Sequence, residues 1–113
     1  MWIYEKKLEY PVRVYKNDIG MARLLMAQYG GPDSELSAAV RYLTQRYTMP
    51  TNKAKGLLTD IGTEEMAHWE IVATMIYKLV KGVPAKQLRE AGLGAYFAEH
   101  DRAVYPADAA GMP

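Results

Sequence analysis

Glu65, Met66, Ala67 and His68 form a Glu-x-x-His pair inside a long helical pattern. Residues three apart are neighbours on one helix face, so this carboxylate and imidazole can reach one cation together. Equally, Glu65 can bridge two cations while His68 binds one. The stripe that carries them, read at coiled-coil spacing, is Leu58, Ile61, Glu65, His68, Val72, Met75 and Leu79. An acid and an imidazole in an otherwise oily seam cost free energy unless something neutralises them, and a bound cation does so. Glu35 is the third candidate, on a separate helical pattern. If the two helices run antiparallel about Pro50, Glu35 and Glu65 each stand fifteen residues from the turn. At helical rise both are about 20 Å from it, and therefore level.

A Glu followed by a Glu-x-x-His is one half of the ligand set that four-helix di-iron and di-manganese bundles use. A second such half is not found in the chain. His100 is the only other histidine, and its neighbouring acid, Glu99, does not stand at helical spacing from it. Tyr42 lies two turns along from Glu35 and can donate a hydrogen bond to a metal-bound carboxylate, although a tyrosine there also fits a core or rim position. Glu64, four residues before His68, reads as a solvated neighbour that pairs with it. Arg41 and Arg46 read as surface or intra-bundle ion-pair partners. The methionines, Met66 and Met75 among them, read as ordinary packing rather than a copper site. A zinc-protease His-Glu-x-x-His is absent, because position 64 is Glu.

These residues need helices to hold them. Asp18 to Tyr29 reads as a short helix that Gly30-Gly31-Pro32 ends. Asp33 or Ser34 then caps a helix to about Thr48. One of its stripes is Leu36, Val40, Leu43 and Tyr47. The adjoining face holds Glu35, Ala38, Ala39 and Tyr42, and its small alanines admit a partner helix or a cluster. Pro50-Thr51-Asn52 is the break and the next cap. The long helix follows from about Lys53 to Lys81, stopped by Gly82 and Pro84. A shorter helix runs over Ala85 to Ala91. Residues 1–17 read as an N-terminal arm, in which Val12, Val14 and Tyr15 alternate like a short extended segment and the aromatics pack on the body. Residues 95–113 read as an irregular tail. The long helix is apolar on more than one face, with Leu57, Ile71, Ile76 and Val80 beside the seam, so it requires further partners. The expectation is one all-α unit over 1–113: the first helix pair of a four-helix bundle, completed by a partner chain or a missing half.

The bulk properties exclude other classes. With 113 residues and a net charge of +1, there is no electrostatic case for nucleic acid or an anionic membrane. No apolar run approaches the roughly 20 residues of a membrane span. The opening Met1-Trp2-Ile3-Tyr4-Glu5-Lys6-Lys7 does not read as a signal peptide. Without cysteine there is no disulfide, thiolate ligand or thiol nucleophile.

Several stretches in order resemble spore-coat members of the manganese catalase family. They are Met1 to Val12, Gln28-Tyr29-Gly30-Gly31-Pro32 with Glu35 and Arg41-Tyr42 following, and Gly56-Leu57-Leu58-Thr59-Asp60-Ile61-Gly62-Thr63-Glu64-Glu65-Met66-Ala67-His68. Ala91-Gly92-Leu93-Gly94 and the final Ala109-Ala110-Gly111-Met112-Pro113 belong to the same resemblance. It implies a ferritin-like four-helix bundle holding two manganese ions, which disproportionates hydrogen peroxide to water and dioxygen. It also implies Glu35 as a terminal ligand, Glu65 as a bridging one, His68 as an imidazole ligand and Tyr42 as their hydrogen-bonding support. Glu64 is then the candidate acid–base catalyst. Family members continue for about another half, which brings the remaining ligands. A homo-oligomer, other spore-coat proteins as partners, and a location in the cytoplasm or the spore coat follow from the resemblance. Two alternatives stand beside catalysis: a structural coat or interaction protein with little activity, and a di-iron oxidase, since carboxylate and imidazole accept iron as readily as manganese.

Overall fold

The structure, a computed structural model, describes residues 3–99. His100 and the rest of the expected tail lie outside the described residues. Among the described residues the secondary structure is entirely helical. The elements are α1 (Ile19–Gly30), α2 (Glu35–Gln45), a 3-10 turn (Arg46–Thr48), α3 (Asn52–Val80), α4 (Ala85–Glu90) and α5 (Gly94–Phe97). Both α1 and α2 pack along α3.

The starts of α1, α2 and α3 are each fixed by a side chain that takes up an otherwise unpaired backbone N–H. Asp18 accepts from Met21 N at 3.0 Å. Ser34 Oγ accepts from Ser37 N at 3.1 Å. At α3 the cap is Thr51, whose Oγ1 accepts from Ala54 N at 3.1 Å. Within the expected Pro50-Thr51-Asn52 cap, Asn52 is already helical and Thr51 holds the extended φ of −128° that a cap requires. The far end of α3 is closed by the segment entering α1. Asp18 N donates to Leu79 O at 2.9 Å and Asn17 Nδ2 to Lys81 O at 2.9 Å. Gly82 then turns the chain at φ +81°, a conformation glycine adopts at no steric cost.

The main core lies at this end of α3. Ile76, Leu79 and Val80 are buried with Ala22 of α1, Leu88 of α4 and Leu93. Tyr29 stacks on Trp69 at 5.4 Å and meets Tyr96 edge-on at 5.9 Å, which joins α1, α3 and α5. Toward the other end, α2 and α3 approach on small residues. Ala39 is fully buried, and a Cβ added at Gly62 would come within 2.7 Å of Leu43 Cγ. Leu36 and Val40 of α2, Tyr47 of the 3-10 turn and Leu57 of α3 remain exposed. Thus α2 turns its alanine face to α3 and most of its bulkier stripe outward.

Three further expectations are corrected. The tail is not irregular from residue 95, because Gly94–Phe97 form a helical turn that docks on the core. The arm's aromatics do not all pack on the body: Tyr10 and Tyr15 are exposed, while Tyr4 bonds to Glu70 of α3. Val12 packs instead, buried, with its carbonyl accepting from Lys78 Nζ at 2.6 Å. Among the described residues Arg46 forms no ion pair; it donates to Thr59 Oγ1 and Tyr47 Oη at 3.3 and 3.1 Å.

Candidate metal centre

Glu35 is the first residue of α2, directly after its Ser34 cap. A carboxylate there is favoured by the partial positive charge of the helix N-terminus. Glu65 and His68 project from the middle of α3. Because Gly62 and Ala39 let the two helices come close, the three side chains converge. His68 Nδ1 lies 3.6 Å from Glu35 Oε2 and 3.7 Å from Glu65 Oε1. These separations are too long for hydrogen bonds. They match donor atoms sharing one ion, which sit about 3–4 Å apart when each bond is about 2.1 Å. The ligand atoms of all three residues lie within 4.8 Å of one another.

None of the three is in bulk water or deeply buried. Side-chain exposure is 19% for Glu65, 29% for Glu35 and 40% for His68. Hydrogen bonding to Glu35 raises the Glu65 carboxyl above the usual range; burial and the Glu35 charge add to this, and His68 opposes it. Two acids therefore face each other at a cost that a cation removes. Oxygen donors with one imidazole form a set that manganese or iron accepts, so these residues fit such an ion.

Glu64 occupies the opposite edge of the ring, its Oε2 3.8 Å from His68 Nε2. Tyr42 is half-buried on α2; among the described residues its hydroxyl makes no hydrogen bond. One participant was not expected from sequence. Glu9, on the N-terminal arm, joins Glu64 and His68 in a second group whose ligand atoms all lie within 4.8 Å. Desolvation raises its carboxyl, and the neighbouring Glu64 raises it further. No periodicity announces Glu9, because the arm is not helical. Only its carboxylate type was a signal.

Next to this group a half-open cleft of about 810 Å³ lies between the arm and α3, lined among others by Tyr4, Glu9, Met66 and Trp69. No helix among the described residues is long and apolar enough to cross a membrane.

Comparison with known proteins bears on the same helices. The model of the manganese-containing catalase family matches residues 1–113. The chain is 58% identical over 113 residues to Protein CotJC of Bacillus subtilis (strain 168), covering all of this chain and 59% of that protein. To the manganese catalase of Lactiplantibacillus plantarum it is 39% identical over 85 residues, covering 74% of this chain and 32% of that protein. The crystal structure of KatB, a manganese catalase from Anabaena PCC7120, aligns with a TM-score of 0.75 at 30% identity, over 99% of this chain and 50% of that chain. The chain thus spans a third to somewhat over half the length of these relatives. The helices described above form part of a ferritin-like bundle, and the chain belongs to the manganese-containing catalase family.

Proposed function

We propose that the chain supplies one half of a two-manganese catalase centre that disproportionates hydrogen peroxide, two H2O2 giving two H2O and O2, in the setting of a spore coat. Glu35 serves as a terminal ligand, Glu65 as the bridging carboxylate and His68 as the imidazole ligand. The observation that carries the reading is their convergence in a family member, with His68 Nδ1 3.6 and 3.7 Å from the two carboxylates. Two bound manganese ions would supply the two-electron redox couple. The protein's own groups do the rest. Glu35 and Glu65 hold the cations and balance their charge. Glu64 takes and returns protons at the Nε2 side of His68, where its Oε2 lies 3.8 Å away. Tyr42 supplies a hydroxyl to a carboxylate once the bundle closes.

The remaining ligands belong to a second helix pair. The exposed Leu36, Val40, Tyr47 and Leu57 give that pair an apolar face to cover. A second copy related by a two-fold axis would present Glu35, Glu65 and His68 again and complete a symmetric four-Glu, two-His set. The remaining half of the fold in the same chain would serve equally.

Metal content, native mass and oxygen evolution from peroxide, measured on one sample, test the reading. The expected result is two manganese ions per closed bundle and oxygen release, with Glu65→Gln and His68→Ala each losing metal and activity together. Full metal retention in both variants overturns the ligand assignment. Iron in place of manganese favours oxidase chemistry, and metal without oxygen release favours a structural role in the coat.

A further inference from the structure

The arm carries an acid to the metal centre, and its position there is built rather than accidental. Tyr4 Oη donates to Glu70 on α3. Further along, Val12 is buried and its carbonyl accepts from Lys78 Nζ. The chain between these two fixed points contains Glu9. It stands with Glu64 and His68, all ligand atoms within 4.8 Å, although two carboxylates so close repel one another. No lysine or arginine forms an ion pair with either acid among the described residues. The Nε2 edge of the imidazole lies beside them, 3.8 Å from Glu64 Oε2. A metal-ligating histidine is commonly oriented by the acceptor that its second ring N–H finds.

We infer that the N-terminal arm is a working part of the metal centre: Glu9 and Glu64 form an acidic wall beside the Nε2 edge of His68, which attracts its Nε2–H and so keeps Nδ1 turned toward Glu35 and Glu65. Glu9 is a positioning residue, acting through the ring. The inference rests on His68 being a metal ligand, and it accounts for two acids sharing one side of a ring whose other side already faces two.

The test compares Glu9→Ala, Glu9→Gln and, as a control on the same arm, Glu5→Ala. Two readouts are used: Mn(II) affinity by electron paramagnetic resonance titration, and the side-chain 15N resonances of His68 in the metal-free protein. Losing an outer support of this kind weakens metal binding by about tenfold. Glu9→Ala is expected to do so and to move the His68 Nε2 resonance. Glu9→Gln keeps an acceptor oxygen and is expected to stay near the native protein in both readouts, as is Glu5→Ala. Native Mn(II) affinity with unmoved His68 resonances in Glu9→Ala overturns the inference. Weaker binding with unmoved resonances also overturns it, because the effect is then one of general charge. A native protein that takes up no Mn(II) overturns the metal reading itself, and the His68 resonances then judge the orienting role alone.

Discussion

Replacing Glu65 by glutamine separates what the site costs the fold from what it does for it. In the metal-free protein Glu65 and Glu35 face each other with ligand atoms no more than 4.8 Å apart. Two unit charges at that distance repel by about 0.9 kcal/mol in bulk water and by about 3.5 kcal/mol at an effective dielectric of 20. Both side chains are partly wetted, at 19% and 29% exposure, so the cost falls between, at about 1–2 kcal/mol. His68 offsets part of it, which leaves a net gain of about 1 kcal/mol for Glu65→Gln at neutral pH. The sign with pH follows from the raised folded-state value of Glu65. Folding then favours the protonated form. The penalty is absent below the unfolded carboxyl range, develops as pH rises through the folded value, and is constant above it. Urea unfolding with a chelator present, at several pH values, checks this. Glu65→Gln should unfold about 0.5–1 M later at neutral pH, taking a slope of 1–2 kcal/mol per M, and lose part of the decline with rising pH. Added Mn(II) should reverse the order, since only the native site gains about 2.7 kcal/mol at a hundredfold excess over Kd. A variant less stable than the native protein in chelator would refute the reasoning.

Three further outcomes are expected. Gly62→Ala drives a Cβ to 2.7 Å from Leu43 Cγ; overpacking of about 1–3 kcal/mol exceeds the roughly 1 kcal/mol gained in helix propensity, so thermal unfolding should come earlier and Leu43→Ala should restore part of the loss. Ser34→Ala removes the buried cap that precedes Glu35 and should cost about 1 kcal/mol, seen in chemical unfolding and in faster exchange of the Ser37 amide. Lys78→Met removes the donor to the Val12 carbonyl, and hydrogen exchange should rise over the arm while the α1–α3 core keeps its protection.

What was legible in the sequence depended on local chemistry. Gly30-Gly31-Pro32, Pro50 and Gly82-Val83-Pro84 punctuate the chain so firmly that α1, α2 and α3 begin and end within about three residues of their expected bounds. The level placement of Glu35 and Glu65 followed from helix rise alone, and the side chains do meet around His68 Nδ1. The misses were non-local. The break at Pro50 left both Thr51 and Asn52 open as the cap, and only the backbone at Thr51 decided between them. The aromatics of the arm looked like anchors, yet Tyr10 and Tyr15 are exposed and Val12, whose carbonyl Lys78 reaches, holds the arm together with Tyr4. Glu9 could not be placed at all, since an irregular segment has no period from which to read a face.

The pattern of exposure gives these details a common cause. Where α1, α4 and α5 gather on α3, the core is closed and apolar. Where α2 alone covers α3, the acids converge and the large apolar residues Val40 and Leu57 face outward. A bare cluster of this kind disfavours closing more helices over it, because closure lowers the dielectric around mutually repelling carboxylates. A cation removes that repulsion, and closure in turn completes the cation's ligand shell. Under the proposed function, metal uptake and bundle closure are therefore linked equilibria, each strengthening the other. The stability of the closed bundle should depend on manganese concentration, and the affinity for manganese on how much of the apolar face is covered.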